Sequence, residues 1–201
     1  MKHRERVQMA LNHEKPDRCP MQISFTPEFA ARLKKNIDIE DNKKYHNPHG
    51  GGNDYLLERY IDSDLLLTSV GWANSYYQEE GSYTDEWGVG WKSVEYDTKY
   101  GKGRYTEIVG HPLADEDNLD SYQPPDPNRS ELYEESKRVL DLYQDEYFIV
   151  GVTVTTIFEC AWALRGLERM MMDFIEKPDL ADEILNIPYK YHLAAARSEE
   201  H

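Results

Sequence analysis

Glu159 is the side chain of this sequence best set up for acid–base chemistry. It follows an apolar run, Tyr147-Phe148-Ile149-Val150-Gly151-Val152, and a hydroxylic stretch containing Thr153, Thr155 and Thr156. Beside Phe158 and Trp162 its carboxyl would lie in apolar surroundings. Burial of that kind raises a carboxyl pKa and suits it to exchange protons near neutrality. The plainer reading is a glutamate in the first turn of a helix, facing solvent or paired with Arg165. Thr155 offers a hydroxyl to a substrate just past the same apolar run. Asp85, Glu86 and Trp87 could line a lid over a pocket, or form a surface hairpin with a packing tryptophan. Trp72 could stack on a flat macrocycle or fill a core.

Two further groups read as structural. Cys160 has the type of a nucleophile or metal ligand, but a lone cysteine on an apolar helix face is usually just buried. His46 and His49 are spaced like a metal pair. They lack a third ligand nearby and run into glycines, so they read as part of a polar loop. No metal site is expected within the chain.

The elements that must hold these groups alternate. Helices are expected over 2–13, 28–36, 54–61 and 130–143. The run 157–166 reads as another, followed by an amphipathic segment carrying Leu167, Met170, Met171, Phe174 and Ile175 on one face. In Met170-Met171-Met172, one member is expected to be exposed. Pro178 suits the first turn of the last helix, which Pro188 should kink. Met21, Ile23 and Phe25 alternate with polar residues as a half-buried strand does. Leu65 to Val70 and Tyr147 to Val152 read as buried strands. Residues 81–109 differ in kind. Trp87, Val89 and Trp91 alternate there, Gly101-Lys102-Gly103 supplies a turn, and 104–109 returns as a partner strand. Buried strands separated by helices imply an α/β fold with parallel strands and an inserted β-hairpin.

Composition narrows the partners. The 201 residues carry a formal charge of −15, which disfavours nucleic acid and anionic membranes. Two cysteines, Cys19 and Cys160, give no disulfide framework. No apolar run approaches membrane-spanning length, and the N-terminus lacks a signal-like core, so a cytoplasmic protein is expected.

Several stretches, taken in order, resemble the uroporphyrinogen decarboxylase superfamily, which includes cobamide-dependent methyltransferases. Arg4-Glu5-Arg6-Val7, Ala10-Leu11-Asn12-His13 and Pro16-Asp17-Arg18-Cys19-Pro20 are similar to its N-terminal signature. Asp85-Glu86-Trp87-Gly88 with Trp91, and Leu164-Arg165-Gly166-Leu167-Glu168 with Asp173 and Pro178, resemble later segments. The resemblance implies that residues 1–201 form the N-terminal part of a (β/α)8 TIM barrel whose C-terminal half is absent. It places Glu159 at the barrel mouth, where such enzymes keep their sites. It implies Glu159 and Asp85 as catalytic candidates, and Trp72, Trp87 and Thr155 as substrate-binding candidates. Arg18, ahead of its strand, belongs on the stability face.

The region after the first strand, Ser24 to Phe29, lacks the arginines with which the decarboxylases bind substrate carboxylates. Their central aspartate corresponds to a position near Gly71, and a later tyrosine to one near Glu159. These departures fit the methyltransferase-like side of the superfamily. The leading expectation is therefore a fragment of a corrinoid-dependent methyltransferase-like enzyme. Its partners would be a small-molecule substrate or a corrinoid protein, and its zinc and corrinoid would be held by the full-length family member. One alternative is decarboxylation of uroporphyrinogen or another aromatic acid. Another is an inactive half-barrel that self-associates or pairs with a complementary half. No turnover is expected from this chain alone.

Overall fold

The computed structural model describes residues 1–38, 55–69, 81–99, 101–153 and 156–199. In chain order the elements begin α1 (His3–Leu11), α2 (Pro27–Asn36), α3 (Leu56–Tyr60), β1 (Leu65–Ser69), β2 (Ser82–Thr84), β3 (Gly90–Thr98) and β4 (Gly101–Gly110). They continue α4 (Glu134–Tyr143), β5 (Phe148–Val152), α5 (Ile157–Arg165), α6 (Leu167–Glu176) and α7 (Pro178–Glu199). The chain divides into two compact units, each built from two separate stretches.

The first unit comprises Met1–Asn74 and Ser130–Val152. Its sheet is the parallel pair β1–β5, with Leu65 opposite Phe148 and Ser69 opposite Val152. Leu66 of β1 is fully buried with Tyr55, Val139 and Tyr147, and Tyr143 and Ile149 pack around them. Tyr55 also donates its hydroxyl to the Leu67 carbonyl at 2.6 Å, so its polar tip is satisfied inside the core. Val139 reaches this core because it lies on the inward face of α4, whose charged residues point outward. On α2, Thr26 caps the first turn by accepting from Phe29 N at 3.4 Å, and Pro27 opens the helix.

The second unit comprises Ser75–Arg129 and Thr153–His201. Its sheet is antiparallel, in the order β2–β3–β4. Helices α5, α6 and α7 pack against one another in the same unit. Pro188 lies inside α7 and is buried there.

The α/β class with parallel strands holds, and so does the antiparallel insertion. No closed barrel forms among the described residues. Several local expectations are corrected. Residues 21–25 form no strand, and Ile23 is 39% exposed. Met21 is instead drawn to the turn before β1, where its carbonyl accepts from Asp64 N at 2.8 Å. Helical spacing over 54–61 predicts burial of Leu56, Leu57, Tyr60 and Ile61, but α3 buries Leu57 and leaves Leu56 and Tyr60 exposed. Gly101 and Gly103 begin β4 rather than form the turn, and β2 adds a third strand to the hairpin. The ring of Tyr96 lies 2.4 Å from where a Cβ on Gly103 would stand, so a glycine is needed for the aromatic to lie over the strand. Trp87 and Val89 fall in the tight turn before β3, not on a strand. Met171 and Met172 are both exposed, where one exposed member was expected.

Candidate functional site

In the first unit the N-terminal segment converges on one carboxylate. Asp64 precedes β1 and its side chain is fully buried. Arg6 Nη1 donates to it at 2.5 Å, Arg18 Nη1 at 2.5 Å and the Met21 N–H at 2.7 Å. His3 Nδ1 lies 2.9 Å away, and its ring stacks on Tyr147 with centroids 4.5 Å apart. Arg6 also grips Asp17 through Nε at 2.6 Å and Nη2 at 2.9 Å, and Arg18 grips Asp62 at 2.6 Å. Burial alone would raise the Asp64 pKa. The hydrogen bonds from His3, Met21, Arg18 and Arg6 outweigh it and hold the carboxyl below its ordinary value. The Asp17 carboxyl is likewise held low, chiefly by its hydrogen bond from Arg6. Two guanidinium groups, an imidazole and an amide meet one anion here. The cluster ties α1 and the segment after it to the start of β1, a structural duty, as expected for Arg18.

The groups with chemistry to offer lie in the second unit. Asp85 opens the turn into β3. Its carboxylate accepts from Trp87 N and Val89 N at 2.9 Å each, and from Trp91 Nε1 at 2.7 Å. That turn buries Trp87 to 1% exposure. Its indole meets Tyr191 edge-on at 4.8 Å and lies parallel to His192 at 6.2 Å. Tyr122 donates its hydroxyl to the Trp87 carbonyl at 2.9 Å. Burial pushes the Tyr122 phenol well above its ordinary value, with the Cys160 and Asp85 charges adding to it. The Cys160 thiol, fully buried on α5, is also pushed far up by burial, and then by Asp85 and Glu159. Both groups stay protonated at neutral pH, so Cys160 is not a thiolate nucleophile.

Helix α5 is fixed at its C-terminal end. The carbonyls that a helix end leaves unpaired are taken up by the loop after β4. His111 Nδ1 donates to Ala163 O at 2.7 Å, and Leu113 N to Leu164 O at 2.9 Å. Arg165 lies buried beneath that loop. It donates to Leu113 O at 2.8 Å, Ala114 O at 3.2 Å and Asp173 Oδ2 at 2.7 Å. Glu159 stands at the other end, in the first turn, and is exposed. The burial expected beside Phe158 and Trp162 does not occur, because the first turn of α5 presents Phe158 and Glu159 outward. Arg165, the pairing alternative for Glu159, goes to Asp173 instead.

The fold thus gathers Asp85, Trp87, Cys160 and Glu159 into one unit. Asp85 and Trp87 make an ordered turn and Glu159 a solvent-reachable carboxylate. Trp72, Thr155, His46 and His49 lie outside the described residues. Among the described residues no group of three His, Cys, Asp or Glu side chains is placed to hold a metal ion, and no helix is long and apolar enough to cross a membrane. Reading the sequence missed Asp64, Tyr122 and Arg165. An acid directly before an apolar strand, with two arginines in the preceding helix and loop, was a usable signal for Asp64. Tyr122 bonds a carbonyl 35 positions away, and nothing local announces it. Comparisons with protein-family models, curated proteins and solved structures return no match to this chain.

Proposed function

We propose that this chain is the N-terminal part of a uroporphyrinogen decarboxylase-like barrel, on the methyl-transferring side of that superfamily. The observation that carries the reading is the convergence of Arg6, Asp17 and Arg18 around Asp64. These three belong to the stretches that resemble the family's N-terminal signature. They meet at the starting end of a strand that pairs in parallel with β5. In a parallel barrel the end opposite the active site serves stability. The reading gives otherwise scattered sequence likenesses one physical task.

In this reading Glu159, which follows β5 in the sequence, is the candidate acid–base group. Being exposed, it would orient a thiol or carry its proton, rather than act as a buried acid. In methyl transfer of this kind, zinc lowers the acceptor thiol's pKa and the corrinoid carries the methyl group. The ligands for such a zinc ion are expected from the full-length family member. The decarboxylase alternative has less support. It would require Asp85 as a partner for Glu159, and Asp85 already accepts three N–H groups of its own turn.

Tryptophan fluorescence titrations with methylcobalamin and with uroporphyrin test the reading. Saturable quenching by the corrinoid, weakened in Glu159→Gln, is the expected result. Selective binding of the porphyrin would favour the decarboxylase reading. Binding of neither would overturn both. Methyl transfer to a small thiol is not expected from this chain by itself.

A further inference from the structure

Helix α6 turns the wrong face outward. Its buried side chains are Met170 and Asp173. Leu167, Met171, Phe174 and Ile175, at positions i, i+4, i+7 and i+8, form a continuous apolar stripe on the exposed side. They are 50%, 52%, 41% and 86% exposed. Phe158 of α5, 43% exposed, stacks on Phe174 with centroids 6.1 Å apart and widens the stripe. A helix of this composition normally buries that face. Here Asp173 is drawn inward by Arg165, which fixes the rotation of α6 and leaves the stripe out.

We propose that this stripe is the interface of a symmetric homodimer. The area is the first support. At roughly 150–200 Å² for each fully exposed side chain, the five present roughly 400–550 Å² of apolar surface. A standard interface buries about 800 Å² per partner, of which about 57% is apolar, or roughly 450 Å². The stripe supplies about that amount and falls within the roughly 300–600 Å² of a typical monomer's largest apolar patch, which is often functional. The second support is its order. A two-fold axis through Met171 would set Leu167 of one copy against Phe174 and Ile175 of the other. The flexible methionine would then meet its own counterpart at the centre. One helix face satisfies itself in this way without a second kind of surface. The interface does not depend on which reaction the protein takes part in.

Sedimentation equilibrium of the full chain at 1–100 µM tests this, with Met171→Glu/Ile175→Glu alongside. The wild type should be a dimer and the variant a monomer with an unchanged far-UV circular dichroism spectrum. Because Ile175 is almost fully exposed, Ile175→Glu alone provides a change that cannot disturb the core; it should weaken dimerisation at least tenfold. In a Cys19→Ser background, Met171→Cys should cross-link to a covalent dimer under mild oxidation. A wild type that stays monomeric throughout, a dimer indifferent to both glutamate variants, or association without a defined stoichiometry would each overturn the proposal.

Discussion

Arg6 and Asp64 lie 58 positions apart and meet at 2.5 Å, with the arginine 7% and the aspartate 0% exposed at the side chain. Removing Asp64 takes the buried acceptor from Arg6 Nη1, Arg18 Nη1 and the Met21 N–H, while Arg6 keeps Asp17 and Arg18 keeps Asp62. Asp64→Ala should cost about 3–5 kcal/mol of unfolding free energy, measured by urea denaturation. Asp64→Asn should cost less, since an amide oxygen still accepts hydrogen bonds.

Acid should unfold the first unit through the same cluster. Asp64 and Asp17 both have folded-state pKa values below those of the unfolded chain. Their contribution is therefore present above about pH 4 and lost as the pH falls through the folded values. The melting temperature should decline below that point, and Asp64→Asn should flatten the decline.

Cys160 and Cys19 should differ in reactivity. Cys19 is exposed and Cys160 buried, with its thiol pushed far up. A thiol reagent at pH 8 should label one cysteine per native chain quickly, and the second only on unfolding. The raised folded value has the opposite pH sign to the aspartates. Its contribution is intact below about pH 8.5, the unfolded value, and lost as the pH rises from there toward the folded value.

Asp85→Ala would strip an acceptor from two backbone amides and one indole. A loss of about 1–3 kcal/mol is expected, together with a red shift in tryptophan emission as the turn around Trp87 loosens. Asp85→Asn should retain most of the stability. A variant that kept full stability would show that the turn is held by other contacts.

The sequence made the helices legible through their periodicity, as over 28–36, where α2 forms. It made β1 and β5 legible as apolar runs. It did not reveal the rotation of α6. Periodicity identifies a stripe but not which side of the helix meets the core, and here an ion pair, Arg165 with Asp173, decided against the stripe. The alternation of Met21, Ile23 and Phe25 likewise matched a strand, yet the polar demand of Asp64 pinned Met21 at a turn. Asp85 and Trp87 were legible as hairpin neighbours, but the turn in which Asp85 accepts from the Trp87 and Val89 amides was not, because the alternation of Trp87, Val89 and Trp91 matched a strand. Glu159 takes the plainer of its two readings, exposed in the first turn of α5, because Phe158 turns outward with it.

The parallel pairing of β1 with β5 carries a consequence for how the protein is made. Leu65 waits for Phe148, 83 positions later. At about 5–20 residues per second, roughly 4–16 s of synthesis separate the two strands. During that interval Leu65-Leu66-Leu67 is an apolar segment still without β5, its partner strand among the described residues, while β2, β3 and β4 can already zip together. The order of emergence thus favours the antiparallel sheet forming first. It also makes β1 the segment on which a nascent-chain chaperone would be expected to act.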